Sequence, residues 1–393
     1  MPNQHAEDEA LGVRSVEPPQ RYSVFTNVEK WCIVAMVSYA AWFSTLSSFI
    51  YYPAIPAISK ALGVSVDKVN LTITTYMAIA SVAPALVGDT ADILGRRPVY
   101  ILTLSGYFAA NFAIALTRSY EALLGLRVLQ ALCISGTFSI AYGVVTDLAA
   151  PAERGSFAAL VSFAITIAPS IGPILGGVLT YAAGWPWIFW FLCLASGSCL
   201  VIMTLFLPET ARHVVGDGSI PPPHYLRLPI PTILCHWKET EMDSDITTRS
   251  FRAPNPFKSI AILCHKDNAV VIFACGLLYV VYTCINASLA TLLVEIYHLN
   301  QWEAGLIYLP FGLGGVASAF ISGRVLDRAW RNTRVKMGMG TNALISDDLD
   351  TFPVERARLC VIWVPMFLTV CSVIAFGWTL HNHLDFACNW ILA

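Results

Sequence analysis

Apolar runs of about 20 residues, the length a helix needs to cross the hydrocarbon core of a bilayer, recur along this chain and constrain it more than any other feature. They fall at 31–52, 70–87, 98–117, 122–146, 157–182, 186–207, 268–293, 304–322 and 359–380. In lipid each backbone N–H and C=O must find a partner within its own segment, so runs of this length fold as helices. The expectation is an all-α, multi-pass membrane protein with nine spans. Composition agrees. The chain is 56% hydrophobic and 13% charged, against roughly 25% charged in a soluble domain.

Several function classes drop out at this point. A net charge of −2 offers nothing to a nucleic acid. The cysteine count is 11, an odd number, and Cys133, Cys193, Cys275 and Cys371 sit inside apolar runs, where they read as small apolar fillers rather than a disulfide framework. All 8 histidines lie in the tail or loops, so no intramembrane metal cluster is visible and no metal or cofactor is expected. No span contains an acidic pair suited to proteolysis within the membrane. The reading is of a protein that is not an enzyme.

Orientation follows from lysine and arginine. Most of the 24 fall in the N-terminal tail, the 2–3 and 4–5 loops, and the loops after spans 6 and 8. The opposite loops hold only Lys60, Lys68 and Arg118. That places the N-terminus in the cytoplasm. Residues 1–30 are polar, with no cleavable signal peptide, and read as a mobile cytoplasmic tail. Residues 31–207 carry six spans, and 208–267, rich in proline and charge, read as a cytoplasmic linker ahead of spans 7–9 in 268–393. Gly88 and Asp92 after span 2 are matched by Gly323 and Asp327 after span 8. The shared spacing and position suggest an internal repeat.

The sharpest interruption of the apolar pattern is "VGDTADILGRRPVY" at 87–100. Gly88-x-x-x-Asp92-x-x-Gly95-Arg96-Arg97 resembles the loop 2–3 signature of the major facilitator superfamily of secondary transporters. The resemblance implies two six-helix bundles around a central site that opens alternately to either side of the membrane. It further implies that the glycines let a helix end pack on the other bundle and that Asp92 lies near a helix N-terminus there. Arg96 is expected to pair with Asp147 at the inner end of span 4. Gly88, Asp92, Gly95, Arg96, Arg97 and Asp147 are thus the candidate gate.

Span 4 reads "RVLQALCISG". Arg127 is the sole charged residue within the nine runs, and a charge at membrane depth has a functional reading by default. Gln130 shares its helix face and matches the family's arginine–glutamine spacing. Arg127 is also only about five residues, roughly 8 Å, from the outer end, so snorkelling to the headgroups stays open as an alternative.

In span 5, Ala164, Ala168, Gly172 and Gly176 recur every four residues, a stripe that admits a close neighbour. Pro169 and Pro173 bend the helix. Gly172-Pro173-x-x-Gly176-Gly177 resembles the superfamily's antiporter motif, which implies export. "LSSFIYYPAIP" at the end of span 1, "DLAAPAERG" at 147–155 and "LPETAR" at 207–212 resemble the twelve-span drug:proton antiporter branch, especially its fungal members. Against twelve spans this chain looks truncated after span 9, with a complete N-terminal six-helix bundle and about three helices of the C-terminal one.

The resemblance therefore implies a plasma-membrane transporter that exports small amphipathic organic molecules, whether drugs, toxins or a secondary metabolite, by proton antiport. It is expected to work as a monomer in the lipid bilayer, with a small molecule and protons as its partners. Tyr51, Tyr76, Arg127, Gln130, Tyr279, Tyr282 and Asn286 are the candidate substrate or proton-coupling residues. A nutrient symporter or facilitator and a non-transporting fragment remain as alternatives.

Overall fold

The computed structural model describes residues 22–150, 153–222, 266–297, 303, 306, 308–336 and 362–381. Almost all of them are helical. The first span is α1 (Asn27–Phe49), a 3₁₀ turn (Tyr52–Ala54) and α2 (Ile55–Leu62). Then follow α3 (Val66–Leu94), α4 (Arg96–Leu116), α5 (Tyr120–Ile134) with α6 (Thr137–Leu148), α7 (Arg154–Ala183), α8 (Pro186–Phe206) and the short α9 (Arg212–Val215). Beyond these come α10 (Lys266–Tyr297), α11 (Leu309–Lys336) and α12 (Trp363–His381).

Among the described residues, seven helices are long and apolar enough to cross a membrane: the first six spans and Asn268–Ile285 within α10. The protein is thus a multi-pass membrane protein. The runs expected as spans 8 and 9 are helical in α11 and α12, with only Trp363–Trp378 of α12 forming a shorter apolar helix.

The ends of these helices follow from local chemistry. Thr26 starts α1 with a reciprocal capping box, its hydroxyl accepting from the Glu29 amide and its own amide donating to the Glu29 carboxylate. The first span breaks after Phe49 because Pro53 and Pro56 lack the donors a continuous helix would need. Only one residue, Gly95, separates α3 from α4, with φ +106. An L side chain is strained there, so glycine makes the corner possible. The charged motif expected as a loop is consequently helical on both sides. Gly88 and Asp92 ride the last turns of α3, and Arg96 opens α4.

The six-span core is built on two seams, α1 against α7 and α4 against α8, with α5 and α6 filling between α3, α4 and α1. Its centre, around Ile33, Val37, Leu46, Tyr100, Tyr107, Ile140, Val144 and Phe189, is a single buried hydrophobic cluster. The α11 helix meets α7, and α10 meets the 3₁₀ turn of the first span.

Two expectations about polar segments need correction. From Tyr22 onward the N-terminal tail is docked rather than mobile. The Val24 amide donates to Asp217 O at 3.1 Å, and the Tyr22 hydroxyl donates to Thr146 O at 3.0 Å. The first residues of the expected linker are likewise fixed, since Glu209, Thr210, Ala211, Val214 and Val215 are all buried. Short polar stretches beside a bundle gain by satisfying its exposed helix ends, and both do so here. The expected linker residues 223–265 lie outside the described residues.

Candidate functional site

Two clusters gather nearly all the expected residues, one at the bundle end that carries the 95–97 corner and one in its interior. At the corner, Arg96 lies between two carboxylates. Its Nη1 is 2.6 Å from Asp92 Oδ1, and its Nε donates to Asp147 Oδ2 at 3.0 Å. The guanidinium lies so close over Gly143 that a β-carbon there would stand 2.8 Å from Arg96 Cζ. The two pairs differ in solvation. The Asp147 side chain is 12% exposed and that of Asp92 is 59% exposed. Exposed pairs contribute little, so the Asp147 contact holds this corner.

Arg97 departs from its neighbour. It is buried, and its Nη2 donates to Thr204 O at 2.8 Å. The residue that organises the corner, Glu209, was legible in the sequence only as part of "LPETAR". Its carboxylate accepts the amides of Arg96 at 2.8 Å and Arg97 at 3.2 Å, and those of Thr210 at 3.0 Å and Ala211 at 2.9 Å. An acid of this kind caps the N-terminus of α4, where the helix dipole favours negative charge. The Gly95 position is equally tight, since a β-carbon there would lie 2.6 Å from Glu209 Oε2. An acid following span 6 beside a Gly-Arg-Arg helix start was the available signal.

Gly88 does not meet the other bundle among the described residues. The atom facing its missing β-carbon, at 3.1 Å, is Ser139 Oγ of α6 in the same bundle. Asp92 pairs with Arg96 of its own bundle as well. What the motif does here is tie spans 2, 3, 4 and the chain after span 6 together.

A second layer braces this end. Arg212 stacks on the Tyr22 ring at 3.6 Å and donates through Nε to Asp147 O at 3.1 Å. Arg154 donates to the Tyr22 hydroxyl at 2.9 Å and to Ala149 O at 3.1 Å. These cations sit on the last carbonyls of α6, the end of a helix that favours positive charge. Nearby, the hydroxyl and amide of Ser219 hold the Asp217 carboxyl below its ordinary range.

The interior cluster is centred on Arg127, which is fully buried. Its guanidinium lies 4.3 Å from the Tyr51 ring centroid and 4.4 Å from that of Tyr76. Nη1 donates to Gln130 Oε1 at 2.7 Å and to Ser47 O at 3.3 Å. Gln130 Nε2 then donates to Asn111 Oδ1 at 2.7 Å, and Asn111 Nδ2 to Tyr107 O at 2.8 Å. The side chain therefore turns inward, and snorkelling is ruled out. Asn111 was missed because a single amide in an apolar run carries no periodic signal.

Among the described residues no carboxylate pairs with Arg127, and its Nε and Nη2 have no hydrogen-bond partner. Two cation–π contacts contribute about 1–2 kcal/mol each in a desolvated site. The cost of a charge at this depth is several kcal/mol, so the rings offset only part of it.

The antiporter-like stretch lies beside this cluster. Gly172, Pro173, Gly176 and Gly177 are buried on α7. A β-carbon on Gly176 would strike the Ile50 carbonyl oxygen, and one on Gly172 would stand 3.0 Å from Ile50 N. The stripe thus admits the broken part of the first span, whose next residue is Tyr51. From α10, Tyr282 packs on Phe49 with ring centroids 6.1 Å apart, and Tyr279 lies 5.6 Å from Tyr282. Asn286 falls within α10, but its side chain lies outside the described residues. Among the described residues no group of His, Cys, Asp or Glu is placed to hold a metal.

Comparison with known proteins follows the same lines. The sequence profile described as Major Facilitator Superfamily matches residues 37–385. MFS-type transporter phiD of a fungal species is 38% identical over 372 residues, covering 92% of this chain and 55% of that protein. This chain thus spans little more than half of that relative's length. MFS-type transporter tstD of Talaromyces stipitatus is 37% identical over 380 residues, covering 94% of this chain and 68% of the relative. Citrate exporter 1 of Aspergillus niger is 33% identical over 388 residues, covering 96% and 73%. Among solved structures, the xylose transporter XylE of E. coli, in a partially occluded inward-open conformation, superposes with a TM-score of 0.56 at 8% identity, covering 93% of this chain and 82% of that one. That likeness speaks for the fold alone.

Proposed function

Because this chain belongs to the Major Facilitator Superfamily, we propose that it is a secondary transporter that exports small amphipathic organic molecules by alternating access coupled to proton antiport. The observation that carries the reading is the interior of the six-span bundle. A fully buried arginine with no carboxylate beside it among the described residues, flanked by Tyr51 and Tyr76 and held by Gln130, is costly to maintain. Apolar packing in place of buried charge is often neutral or stabilising, so stability alone gives little reason to keep this arginine. Tyr279, Tyr282 and Asn286 of α10 complete the proposed path. Asp92, Arg96, Arg97 and Asp147, with Gly88 and Gly95, form the proposed gate, and Asp89 or Asp92 is the proposed proton carrier.

Export rather than uptake is favoured by the glycine–proline stretch of α7 and by the exporter among its relatives. We place the charged end in the cytoplasm and the protein in the plasma membrane. Yeast cells expressing the chain should accumulate less rhodamine 6G than control cells, and a protonophore should abolish the difference. Faster accumulation with the gradient intact would overturn export and favour the symporter or facilitator reading.

A further inference from the structure

The guanidinium of Arg127 has two working edges, and one of them is committed. Its Cζ lies over the Tyr51 ring at 4.3 Å and over the Tyr76 ring at 4.4 Å. The Nη1 group is engaged by Ser47 O and Gln130 Oε1. Left over are Nε and Nη2, each wholly buried and without an acceptor. These two nitrogens form the side-on fork of an arginine. Their N–H bonds run parallel, at the spacing of the two oxygens of a carboxylate, and such bidentate pairs are among the strongest charge-assisted hydrogen bonds.

We infer that the cargo carries a carboxylate, which docks side-on to Nε and Nη2 of Arg127, so that the transported class is amphipathic organic acids in their anionic form. The inference rests on the transporter reading and narrows it. A planar carboxylate would lie in the plane of the guanidinium, against the two buried and unpartnered nitrogens. It supplies the acceptors and the negative charge that the protein itself does not provide at this point.

The surroundings suit the rest of such a molecule. Tyr51 covers the arginine from the one stretch of the first span that is not continuous α-helix; its hydroxyl meets Thr72 of α3 at 3.0 Å, and its ring packs edge-on against Phe189 of α8 with centroids 6.2 Å apart. Moving this cover leaves the regular helical turns of the span intact, although it gives up the ring contacts with Phe189 and Arg127. Next along the same break stand Phe49 and Tyr52, with ring centroids 5.5 Å apart, and across from Phe49 stands Tyr282 of α10. An aromatic or aliphatic body attached to the carboxylate finds apolar ring faces there.

The test uses the full chain purified in detergent, with 2-naphthoate, the neutral isostere 2-naphthamide and the tetrahedral anion naphthalene-2-sulfonate as probes. Naphthoate should raise the thermal midpoint and bind at least tenfold more tightly than naphthamide. The sulfonate, which can offer two oxygens to the fork but carries a third out of the guanidinium plane, should fall between them. Arg127→Lys should weaken naphthoate about tenfold, because lysine keeps the charge and loses the fork. Arg127→Gln should abolish the acid-over-amide preference while leaving the unliganded midpoint unchanged or higher. Equal shifts from naphthoate and naphthamide in the wild-type protein, or a preference that survives in Arg127→Gln, would overturn the inference. If the Gln variant does not fold, the wild-type and Lys comparisons decide the matter. Reconstituted vesicles separate this claim from the one beneath it. Flux of naphthamide as fast as naphthoate overturns the carboxylate dock and leaves transport standing. Arg127-dependent binding with no flux of any probe overturns transport and leaves the dock.

Discussion

Glu209 Oε1 accepts the backbone amide of Arg96 at 2.8 Å, across 113 residues of chain. The contact brings the segment after span 6 onto the first turn of span 3, and it does so at the only residue, Gly95, that separates span 3 from span 2. Four amide donors converge on this one carboxylate. The corner between spans 2 and 3 is therefore set by an acid that belongs to neither.

Removing that acid should cost stability before it costs chemistry. Glu209→Ala leaves buried amides of Arg96 and Arg97 without an acceptor, and an N-cap loss of about 1–2 kcal/mol is the minimum expected. Glu209→Gln keeps one acceptor oxygen and loses the charge, so its loss should be smaller. Thermal unfolding of the purified variants should rank wild type above Gln above Ala. An Ala variant as stable as wild type would contradict the capping role.

The two carboxylates around Arg96 should behave unequally. Asp147→Asn removes a shielded partner and should slow transport severely in a protein that still inserts and folds. Asp92→Asn removes a mostly exposed partner and should slow turnover less. If Asp92 carries the proton, its Asn variant should also lose dependence on the proton gradient. Dye efflux measured in cells of matched expression reads both. Equal effects of the two substitutions would mean that burial does not decide this corner.

Gly176→Ala should be damaging because the added methyl meets the Ile50 carbonyl, a backbone atom that cannot rotate away. Overpacking of this kind typically costs about 1–3 kcal/mol. Gly125→Ala is the control. It lies on α5 with nothing within 4 Å of a β-carbon, and alanine is the better helix former, so it should be neutral or stabilising. Comparable melting temperatures for the two variants would remove the close approach of α7 to the first span.

Much of this architecture was legible because membrane folding leaves so few choices. Apolar run length alone placed the first seven spans, although the helix of span 2 begins at Val66 and ends at Leu94, outside the expected 70–87. The excess is amphipathic, and hydropathy loses a helix once it leaves the bilayer core. The same effect hid the continuation of α11 to Lys336, past the expected end at 322. The contact of Arg96 with Asp147 followed from two motifs at one end of adjacent spans. The contact of Arg127 with the rings of Tyr51 and Tyr76 did not, since no spacing links span 1, span 2 and span 4. Glu209 and Asn111 were obscure for the same reason. Their partners are backbone groups or single amides in other helices, and only tertiary packing brings them together.

Gln130 offers the sharpest separation between a structural arginine and one reserved for cargo. Its Oε1 sits 2.7 Å from Arg127 Nη1, and Asn111 fixes which way the amide faces by accepting from Nε2. Gln130→Glu therefore places a permanent anion against the guanidinium with little change of shape. It sets a carboxylate oxygen against Asn111 Oδ1, a cost of about 1–3 kcal/mol unless the Asn111 amide turns over, and compensates a buried charge that has no counter-ion among the described residues. If Arg127 only stabilises the bundle, the variant should be as stable as wild type or more so and should transport normally. If its charge is kept free for an anionic cargo, the variant should be equally stable yet export at least tenfold more slowly, because the internal carboxylate satisfies the charge the cargo would have met. Thermal unfolding and efflux measured on the same preparation distinguish the two. A stable Gln130→Glu variant with unimpaired export would show that the positive charge of Arg127 is not what the cargo meets.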